Sequence, residues 1–534
     1  MKRLYALIFL GVILAATTAL AGAKLLWSYT DCNGIYASAD LGDINNDGAP
    51  DVVCSKYYSD DGDELFALSG KDGKKLWAAN DCLGIWGTHG LDTVEDLNGD
   101  GIREVIMGTP GGVSEGRSFY LKSGKDGTTI FTYSTYSGPN AGWVYGVAGT
   151  GDVNKNGKKD LLAAAGGQSS NPSGTVFCFD GGSTSDAVDI IWTFRPPRDG
   201  AQCVTSIADV TGDGIPEAVA GAGGNGYDNK VYGLNGTNGA EIWQYDTGNS
   251  VSDVVNLGDV NGDGYDDVAA TSWANIVVGL SGKDGAHLWT NNIGYVGMDL
   301  ERLPDVNGDE CDDVVVGSWS SNLICVSGKD GNTIWSKPVA ADVWSVDVLE
   351  DVDGDKLWEA VGGSLGSGSG VAKCYSNTGV ELWTRTFSER IYDVERVGDV
   401  TGDGVSELCV CLQDHSHETA HVWLFDVKGD TGIEERQPSP APAPPTGYAF
   451  ALGQARPNPC RGEARIAFAL PRPGGATLAL YDISGRKVRT LLAAHLAAGE
   501  HDVAADLTGL APGVYVYRLE AGADAAAKRL VVAR

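Results

Sequence analysis

Residues 259–267 read DVNGDGYDD, and this string decides the fold because seven more stretches of the chain follow the same pattern. A second string, SGKDGKKLW in residues 69–77, also recurs eight times and ends on an aromatic residue. Self-similarity at a regular period is the signature of a repeat architecture. The acidic strings begin at Asp43, Asp96, Asp152, Asp209, Asp259, Asp305, Asp351 and Asp399, and the aromatic residues are Trp27, Trp77, Phe131, Trp192, Trp243, Trp289, Trp335 and Trp383.

Short apolar runs rich in Val, Ile and aromatic residues separate these strings. Examples are PDVVCSKYY in residues 50–58 and ELFALSG in residues 64–70. Each run has the length of a strand and is bounded by Gly, Asp or Asn. Every unit holds about four such runs and no convincing amphipathic helix. Four strands in a unit of this length are typical of a propeller blade.

The two series of strings are out of phase, and the offset predicts how the ring closes. The strand around Trp27 precedes the first acidic string, whereas residues 421–429 follow the last one and lead directly into a proline-rich stretch. We therefore predict an all-β fold with an eight-bladed β-propeller, in which the N-terminal strand closes the last blade and leaves no free sheet edge. A seven-bladed ring with one irregular unit is the alternative.

The acidic strings have the composition of cation-binding loops. Oxygen-bearing side chains stand at positions 1, 3, 5 and 9, usually with Gly at position 6, and Ca²⁺ takes six to eight oxygen ligands on a tightly turned backbone. The spacing resembles the first half of an EF-hand loop, although no helix flanks it. We predict several Ca²⁺ ions, up to eight; Asx turns without metal are the alternative. The predicted ligands are Asp43, Asn45, Asp47, Asp51, Asp96, Asn98, Asp100, Glu104, Asp152, Asn154, Asn156, Asp160, Asp209, Thr211, Asp213, Glu217, Asp259, Asn261, Asp263, Asp267, Asp305, Asn307, Asp309, Asp313, Asp351, Asp353, Asp355, Glu359, Asp399, Thr401, Asp403 and Glu407.

Three of the eight loops are weaker candidates. The third loop has acids only at Asp152 and Asp160, and the sixth and seventh carry Glu310 and Lys356 where Gly is usual. We expect these three loops to bind weakly or not at all.

The stretch GDVNGDGYDDVAATS in residues 258–272 resembles the FG-GAP or VCBS-type propeller repeats of integrin α subunits and many bacterial surface proteins. The resemblance covers roughly residues 25–432 and implies a calcium-binding propeller. It does not imply one function, because this fold hosts many. The SGKDGKKLW string is also similar to the tryptophan-docking motif of quinoprotein propellers, which is a device for packing blades together.

Both ends of the chain differ in composition from the repeats. Lys2 and Arg3 precede an apolar run and small residues, which predicts a signal peptide over residues 1–23, with an uncleaved anchor as the alternative. We expect no transmembrane segment in the mature chain. The propeller is predicted over residues 24–432, followed by a stiff proline-rich linker over residues 433–447.

Residues 448–534 are predicted to form a small Ig-like β-sandwich. The strings LGQARPNPCRGEARIAFALP, LYDISGRKVRTL and KRLVVAR resemble the FlgD Ig-like and type IX secretion (Por) C-terminal sorting domains. Members of these families usually have an aromatic residue where Cys460 stands. The resemblance implies export by a type IX route, with the secretion machinery as a partner, to the cell surface or the medium. An ordinary Ig-like contact module is the alternative.

The charge balance restricts the partners. The chain has 39 Lys and Arg against 71 Asp and Glu, a formal charge of −32. This argues against nucleic acid and anionic membrane surfaces. The 11 Cys form no CxxC pattern, and no disulfide is assigned. No GxSxG, HExxH or phosphate-binding motif occurs in a suitable context.

The strands that lead into the acidic loops should line the propeller axis. Their carboxylates and neighbouring aromatic rings are suited to a sugar or a cation, although a solvated channel lining is the alternative. We therefore predict a non-enzymatic, calcium-stabilised surface binding or adhesion protein with an extracellular protein or glycan as ligand. A carbohydrate-active enzyme similar to propeller rhamnogalacturonan lyases is the alternative, and a quinoprotein-type propeller is a third. The axial residues are Asp92, Asp253, Asp299, Glu301, Asp347, Asp393 and Glu395, with Tyr36, Trp86, Tyr145, Trp344 and Tyr392 nearby.

Overall fold

The computed structural model divides into two compact units, residues 1–432 and 433–534. The predicted linker and nearly all of the predicted signal peptide lie outside the described residues. These comprise residues 22–31, 34–56, 64–82, 84–85, 87–109, 118–135, 142–166, 174–224, 228–414, 419–428, 450–470, 474–482, 486–496, 499–521 and 524–533.

The described part of the first unit contains 32 strands and one short 3₁₀ helix, Thr88–Gly90. In chain order the strands are β1 (Lys24–Asp31), β2 (Ile35–Gly42), β3 (Asp51–Lys56), β4 (Leu65–Leu68), β5 (Lys75–Ala79), β6 (Leu91–Val94), β7 (Glu104–Gly108), β8 (Ser118–Ser123), β9 (Thr129–Ser134), β10 (Trp143–Gly149), β11 (Leu161–Gly166), β12 (Thr175–Phe179), β13 (Ile190–Phe194), β14 (Gly200–Ile207), β15 (Glu217–Gly223), β16 (Lys230–Leu234), β17 (Glu241–Asp246), β18 (Val251–Gly258), β19 (Asp267–Ser272), β20 (Ile276–Ser281), β21 (His287–Asn292), β22 (Gly297–Leu303), β23 (Asp313–Ser318), β24 (Asn322–Val326), β25 (Thr333–Pro338), β26 (Asp342–Leu349), β27 (Glu359–Leu365), β28 (Gly370–Tyr375), β29 (Glu381–Phe387), β30 (Arg390–Val397), β31 (Glu407–Gln413) and β32 (Ala420–Asp426).

These strands form eight four-stranded antiparallel sheets, which are the blades. The first seven blades each take four consecutive strands, beginning with β2–β5 and ending with β26–β29. The second strand of a blade is buried on both faces, as in β11 (LLAAAG) and β23 (DVVVGS), because neighbouring blades cover it. The outermost strand alternates between buried and exposed residues, as in β17. These patterns explain why the inner strands are apolar runs and the outer ones amphipathic.

The N-terminal strand belongs to the last blade, as predicted. The eighth sheet has the order β1-β32-β31-β30, and β1 pairs with β32 from Lys24 opposite Asp426 to Asp31 opposite Ala420. The first and last blades also contact each other, because the backbone N–H and hydroxyl of Ser38 donate to Oδ2 of Asp393 at 2.7 and 2.8 Å. The two ends of the repeat array therefore meet.

The second string packs one blade against the next. Trp77 and Trp243 each donate from Nε1 to the carbonyl of a turn glycine in the following blade, Gly124 at 2.8 Å and Gly282 at 2.7 Å. Gly285 in the same turn has φ +70°, and a Cβ there would lie 2.7 Å from the Trp243 ring. The predicted blade-packing role of this string is therefore seen in the structure, and the turn requires glycine for both conformation and space.

Ten cysteines lie within the described residues, all as free thiols and all but Cys311 buried. Cys178, Cys325 and Cys374 occupy the same position in three blades and are fully buried in strand cores. Cys32 lies outside the described residues. The described thiols therefore act as small apolar core residues.

The second unit is a sandwich of two sheets. Its strands are β33 (Ala451–Leu452), β34 (Glu463–Leu470), β35 (Gly474–Tyr481), β36 (Lys487–Leu496), β37 (Gly499–Asp506), β38 (Gly513–Ala521) and β39 (Asp524–Val532). The sheets have the orders β33-β34-β37 and β36-β35-β38-β39, and Ile466, Leu478 and Tyr517 belong to their shared core. Cys460 is buried in this core, and its backbone N–H donates to Val531 at 2.9 Å.

Candidate functional site

All eight acidic loops connect the first strand of a blade to the second and therefore lie at the same end of the blades. In the loop over residues 259–267, Asp259 accepts backbone N–H groups from Gly262 at 2.7 Å, Asp263 at 3.1 Å and Gly264 at 2.8 Å. Asn261 and Asp263 each accept the N–H two residues further along, at 2.9 and 3.1 Å. This chain of short bonds folds the loop around its own oxygen atoms.

In the four loops that have Asp at the ninth position, this residue joins the two repeated strings, a role that the sequence did not reveal. Asp267 is fully buried, and its Oδ2 accepts the N–H groups of Val260 and Asn261, both at 3.0 Å. Its Oδ1 accepts the N–H of Gly282 in the outer turn at 3.3 Å. Burial raises the pKa of Asp267 to about 6 and that of Glu359, its equivalent in the seventh loop, to about 8.

The sixth position is left-handed in every loop, whether or not it is glycine. Gly264 has φ +87°, and the substituted residues Glu310 and Lys356 have φ +69° and +74°. The sixth and seventh loops therefore keep the common turn although they have a side chain at this position. An L-residue adopts this left-handed backbone conformation only at some cost in free energy.

Two loops bring three carboxylates together. One oxygen from each of Asp209, Asp213 and Glu217 lies within 4.8 Å of the others in the fourth loop. Asp351, Asp353 and Asp355 do the same in the seventh loop. Within the described residues, the other six loops do not bring three carboxylates this close. Converging carboxylate oxygens fit a hard cation such as Ca²⁺. The seventh loop, which the sequence marks as a weak candidate because of Lys356, therefore brings its carboxylates closer together than most of the other loops do.

The first strands of all eight blades line an axial cavity of about 290 Å³. A second cavity of about 740 Å³ adjoins the acidic-loop end and shares several lining residues with the first. The seven predicted axial carboxylates all line one or both cavities. Part of this set holds neighbouring blades together, since Asp253 accepts the N–H of Leu300 at 3.0 Å and Asp299 accepts that of Val346 at 2.7 Å.

His89 joins the axial carboxylates, although no sequence pattern predicts it there. It lies in the 3₁₀ helix of the second blade, yet its Nε2 is 3.3 Å from Oδ1 of Asp299 and 3.8 Å from Oδ2 of Asp253. Burial lowers the pKa of His89, but the facing carboxylates outweigh burial and raise it. The short, irregular segment before β6 is what carries this side chain to the axis.

Five aromatic rings form a continuous row at the blade ends opposite the acidic loops, which we name the aromatic arc. Successive ring centroids are 6.2, 6.2, 6.4 and 4.2 Å apart, and the row crosses five consecutive blades. Three members were among the predicted axial aromatics, whereas two lie in turns between second and third strands and were missed. Trp86 lies outside the described residues. The members of the arc are Trp273, Trp319, Trp344, Tyr392 and Tyr36.

Three family models match parts of the chain. The FG-GAP-like repeat matches residues 96–163, the secretion system C-terminal sorting domain matches residues 455–533, and the outer membrane protein assembly factor BamB matches residues 190–359. No match to a curated protein was found. Within the described residues, no helix has the length and apolar character needed to cross a membrane.

Solved structures support the fold alone. Saccharomyces cerevisiae Sqt1 aligns with a TM-score of 0.54 and 10% identity over 76% of this chain and 99% of that chain. The computationally designed Ika8 protein gives a TM-score of 0.51 and 13% identity over 75% and 99%. BBS1N in complex with ARL6DN gives a TM-score of 0.45 and 12% identity over 65% and 95%, which is too low to carry an argument.

The sorting domain indicates type IX secretion to the cell surface or beyond. The eight four-stranded blades and the matched repeat belong to a β-propeller. The chain thus carries an FG-GAP-like repeat within a propeller and a type IX C-terminal sorting domain after it.

Proposed function

We propose that this exported propeller is a calcium-stabilised, non-enzymatic binding protein that holds an extracellular glycan against the aromatic arc. The aromatic arc carries the proposal, because its three Trp rings are at least partly exposed in a row, and monomeric proteins rarely expose such an apolar patch without a use for it. The other two members, Tyr36 and Tyr392, are buried at 7% exposure. Trp273 is 44% exposed, and the nearby Tyr295 is 52% exposed. Trp319 and Trp344 are partly exposed.

The chemistry of the arc suits a carbohydrate. Flat aromatic rings offer an apolar face and, in Trp and Tyr, a polar atom at the edge. The C–H faces of sugar rings stack on such surfaces, while hydroxyl groups need nearby donors and acceptors. Asn249 donates to the carbonyl of Trp273 at 3.3 Å, and Asn322 donates to the hydroxyl of Ser320, the residue after Trp319, at 3.2 Å. The arc therefore offers both kinds of contact.

The charges of the cavities argue against cleavage of an acidic polysaccharide. The larger cavity at the acidic-loop end contains the basic side chains Arg103, Arg302 and Arg396, and they form ion pairs with Asp40, Asp312 and Glu350. The lining is otherwise dominated by carboxylates, which repel a uronic-acid chain. This supports a binding protein rather than the lyase alternative.

Glycan-array binding by the full chain, followed by titration of the best glycan, tests the proposal. Trp273→Ala and Trp319→Ala should each weaken binding by about 30-fold, the loss typical of an interface aromatic that supplies about 2 kcal/mol. Trp358→Ala is the matched control, since Trp358 lines the cavity at the acidic-loop end. Equal losses in all three variants, or release of unsaturated sugar products by the unmodified chain, would refute it.

A further inference from the structure

We infer that His89, Asp253 and Asp299 form a binding site on the propeller axis for a divalent transition-metal ion, with Zn²⁺ as the best fit. The site is separate from the acidic loops and from the aromatic arc. Its three ligands come from three blades, the second, the fifth and the sixth.

The donor atoms are already close to metal-binding geometry. One donor atom from each residue lies within 4.8 Å of the other two, and the distances from His89 Nε2 to the Asp299 and Asp253 oxygens are 3.3 and 3.8 Å. Ligand atoms about 2.0–2.1 Å from a tetrahedral Zn²⁺ ion lie roughly 3.3 Å from one another. Small movements of the side chains would therefore complete three corners of a tetrahedron.

Both carboxylates are fixed in position by the sheet. Each aspartate side chain is only 6% exposed. Asp299 accepts the N–H of Val346 with Oδ2, which leaves Oδ1 facing His89. Asp253 accepts the N–H groups of Val254 at 2.7 Å and Leu300 at 3.0 Å. Hydrogen bonds of this kind orient metal ligands and limit their rotation.

The surrounding cavity supplies an excess of negative charge that a cation would neutralise. Glu301 and Glu395 line it and form no hydrogen bond or ion pair with any residue in the described part of the chain. Confining several carboxylates in one enclosed space costs free energy unless a cation or protons compensate. His89 alone cannot balance this set. The carboxylates lining this cavity are Asp92, Asp253, Asp299, Glu301, Asp393 and Glu395.

The donor set selects the metal. Calcium prefers six to eight oxygen ligands, whereas imidazole nitrogen suits zinc and its neighbours in the first transition row. One imidazole and two carboxylates leave a fourth position that opens to the axial cavity, where water or a ligand oxygen would bind. A bound ion would also link the second blade to the fifth and sixth across the axis.

The test uses the untagged full chain, stripped of metal and held in excess calcium so that the acidic loops are saturated. We expect one Zn²⁺ per chain by elemental analysis, and one Co²⁺ with the visible absorption of a tetrahedral site. Asp299→Asn and His89→Ala should weaken Co²⁺ binding at least tenfold, because even indirect partners of metal ligands contribute about 10–100-fold. His287→Ala is the matched control, since His287 is an exposed residue of β21.

Two results would overturn the inference. If the stripped chain takes up no Zn²⁺ or Co²⁺ beyond the calcium loops, His89 forms only an ion pair with the carboxylates. If one ion binds but survives both Asp299→Asn and His89→Ala, it occupies a different, adventitious site. Circular dichroism of each metal-free variant establishes that it folds, and His89→Gln replaces His89→Ala if the alanine variant does not.

Discussion

At the scale of single residues, the acidic loops keep the same backbone conformation even where glycine, the residue best suited to it, is replaced. The sixth position keeps a left-handed backbone in the sixth and seventh loops, where Glu310 and Lys356 replace glycine. The preceding aspartates still accept the N–H groups at this position, Asp305 from Glu310 and Asp351 from Lys356, both at 2.9 Å. The hydrogen bonds of the loop therefore hold these residues in an unfavourable conformation.

We predict that Glu310→Gly and Lys356→Gly stabilise the propeller. Replacing a left-handed L-residue by glycine removes a strain of about 1–2 kcal/mol. The greater freedom of glycine in the unfolded chain offsets about 0.4–1 kcal/mol of this stabilisation. Each variant should raise the free energy of unfolding by roughly 0.5–1 kcal/mol in denaturant titrations with chelator present. Gly264→Ala should change it in the opposite direction, and a loss of stability in either glycine variant would contradict the argument.

Asp92 should make stability depend on pH. Burial raises its pKa to about 6, while the N–H of Thr93 and the charge of Arg103 act in the opposite direction. A raised carboxyl pKa favours the folded state below the unfolded pKa of about 4, and this advantage is lost as pH rises through about 6. Asp92→Asn should therefore raise the melting temperature at about pH 8 and leave it nearly unchanged at about pH 4. The charges that act on Asp92 most directly are those of Arg103 and Glu395, and the cavity that it lines also contains His89, Asp253, Asp299, Glu301 and Asp393.

At the scale of elements, four of the acidic loops are joined to their outer turns. In the first, third, fifth and sixth loops the ninth residue is Asp, and its carboxylate accepts the N–H of a glycine in the outer turn, so loop and turn are held together before any cation binds. Calcium binding is thus expected to add to a loop that is already folded. A site with a dissociation constant of about 10⁻⁴–10⁻³ M adds roughly 0.4–1.4 kcal/mol per loop at millimolar calcium.

Asp263→Ala should reduce the stabilisation by calcium more than Asn156→Ala does. The two residues hold the same position, and each accepts the N–H two residues ahead, at 3.1 and 2.9 Å. Only Asp263 brings a charge to a predicted site. The measurement is the difference in melting temperature with and without chelator for each variant. Equal differences in the two variants, or a melting temperature indifferent to chelator in the unmodified chain, would count against calcium in the loops.

The tryptophan that docks each blade on the next has a testable energetic role. Trp243→Phe keeps most of the packed ring but leaves the carbonyl of Gly282 without its donor, which should cost about 1–3 kcal/mol. Trp243→Ala should cost about 3–5 kcal/mol because it also leaves a cavity. Phe131 holds the same position naturally, so Phe131→Leu is a control in which no donor is lost. Equal losses of unfolding free energy in Trp243→Phe and Trp243→Ala would contradict separate contributions from the hydrogen bond and from the packed ring.

How far the sequence predicts these features depends on their range. The loops and the strands follow from spacing, because each is a local pattern repeated eight times, and the single strand exchange follows from the offset between the two series. His89, Trp273 and Trp319 could not be placed, since their partners lie in other blades and no local pattern states which blades face each other across the axis. The bond between Asp267 and Gly282 was missed because it joins two strings that were considered separately.

At the scale of the whole molecule, the propeller and the sorting domain are separate compact units with separate cores. We predict that deleting residues 448–534 leaves a folded propeller that no longer reaches the cell surface. Fractionation of cells locates the truncated chain, and its melting curve should match that of the intact propeller. Tyr517→Ala, which removes a buried ring of the sorting domain core, should cause the same defect, whereas Asp482→Asn on its surface should not. Normal surface delivery of the truncated chain would exclude the sorting role.

The strand exchange at the last blade also sets an order of events during folding. β1 is synthesised early, but its partner β32 is synthesised only after almost the entire propeller. Until then β1 has no partner strand, and the first blade has no neighbour on one side. Closing the ring therefore depends on contacts between the two ends of the propeller sequence, and contacts of such long range form slowly. A propeller that ended before its last blade would leave β1 unpaired.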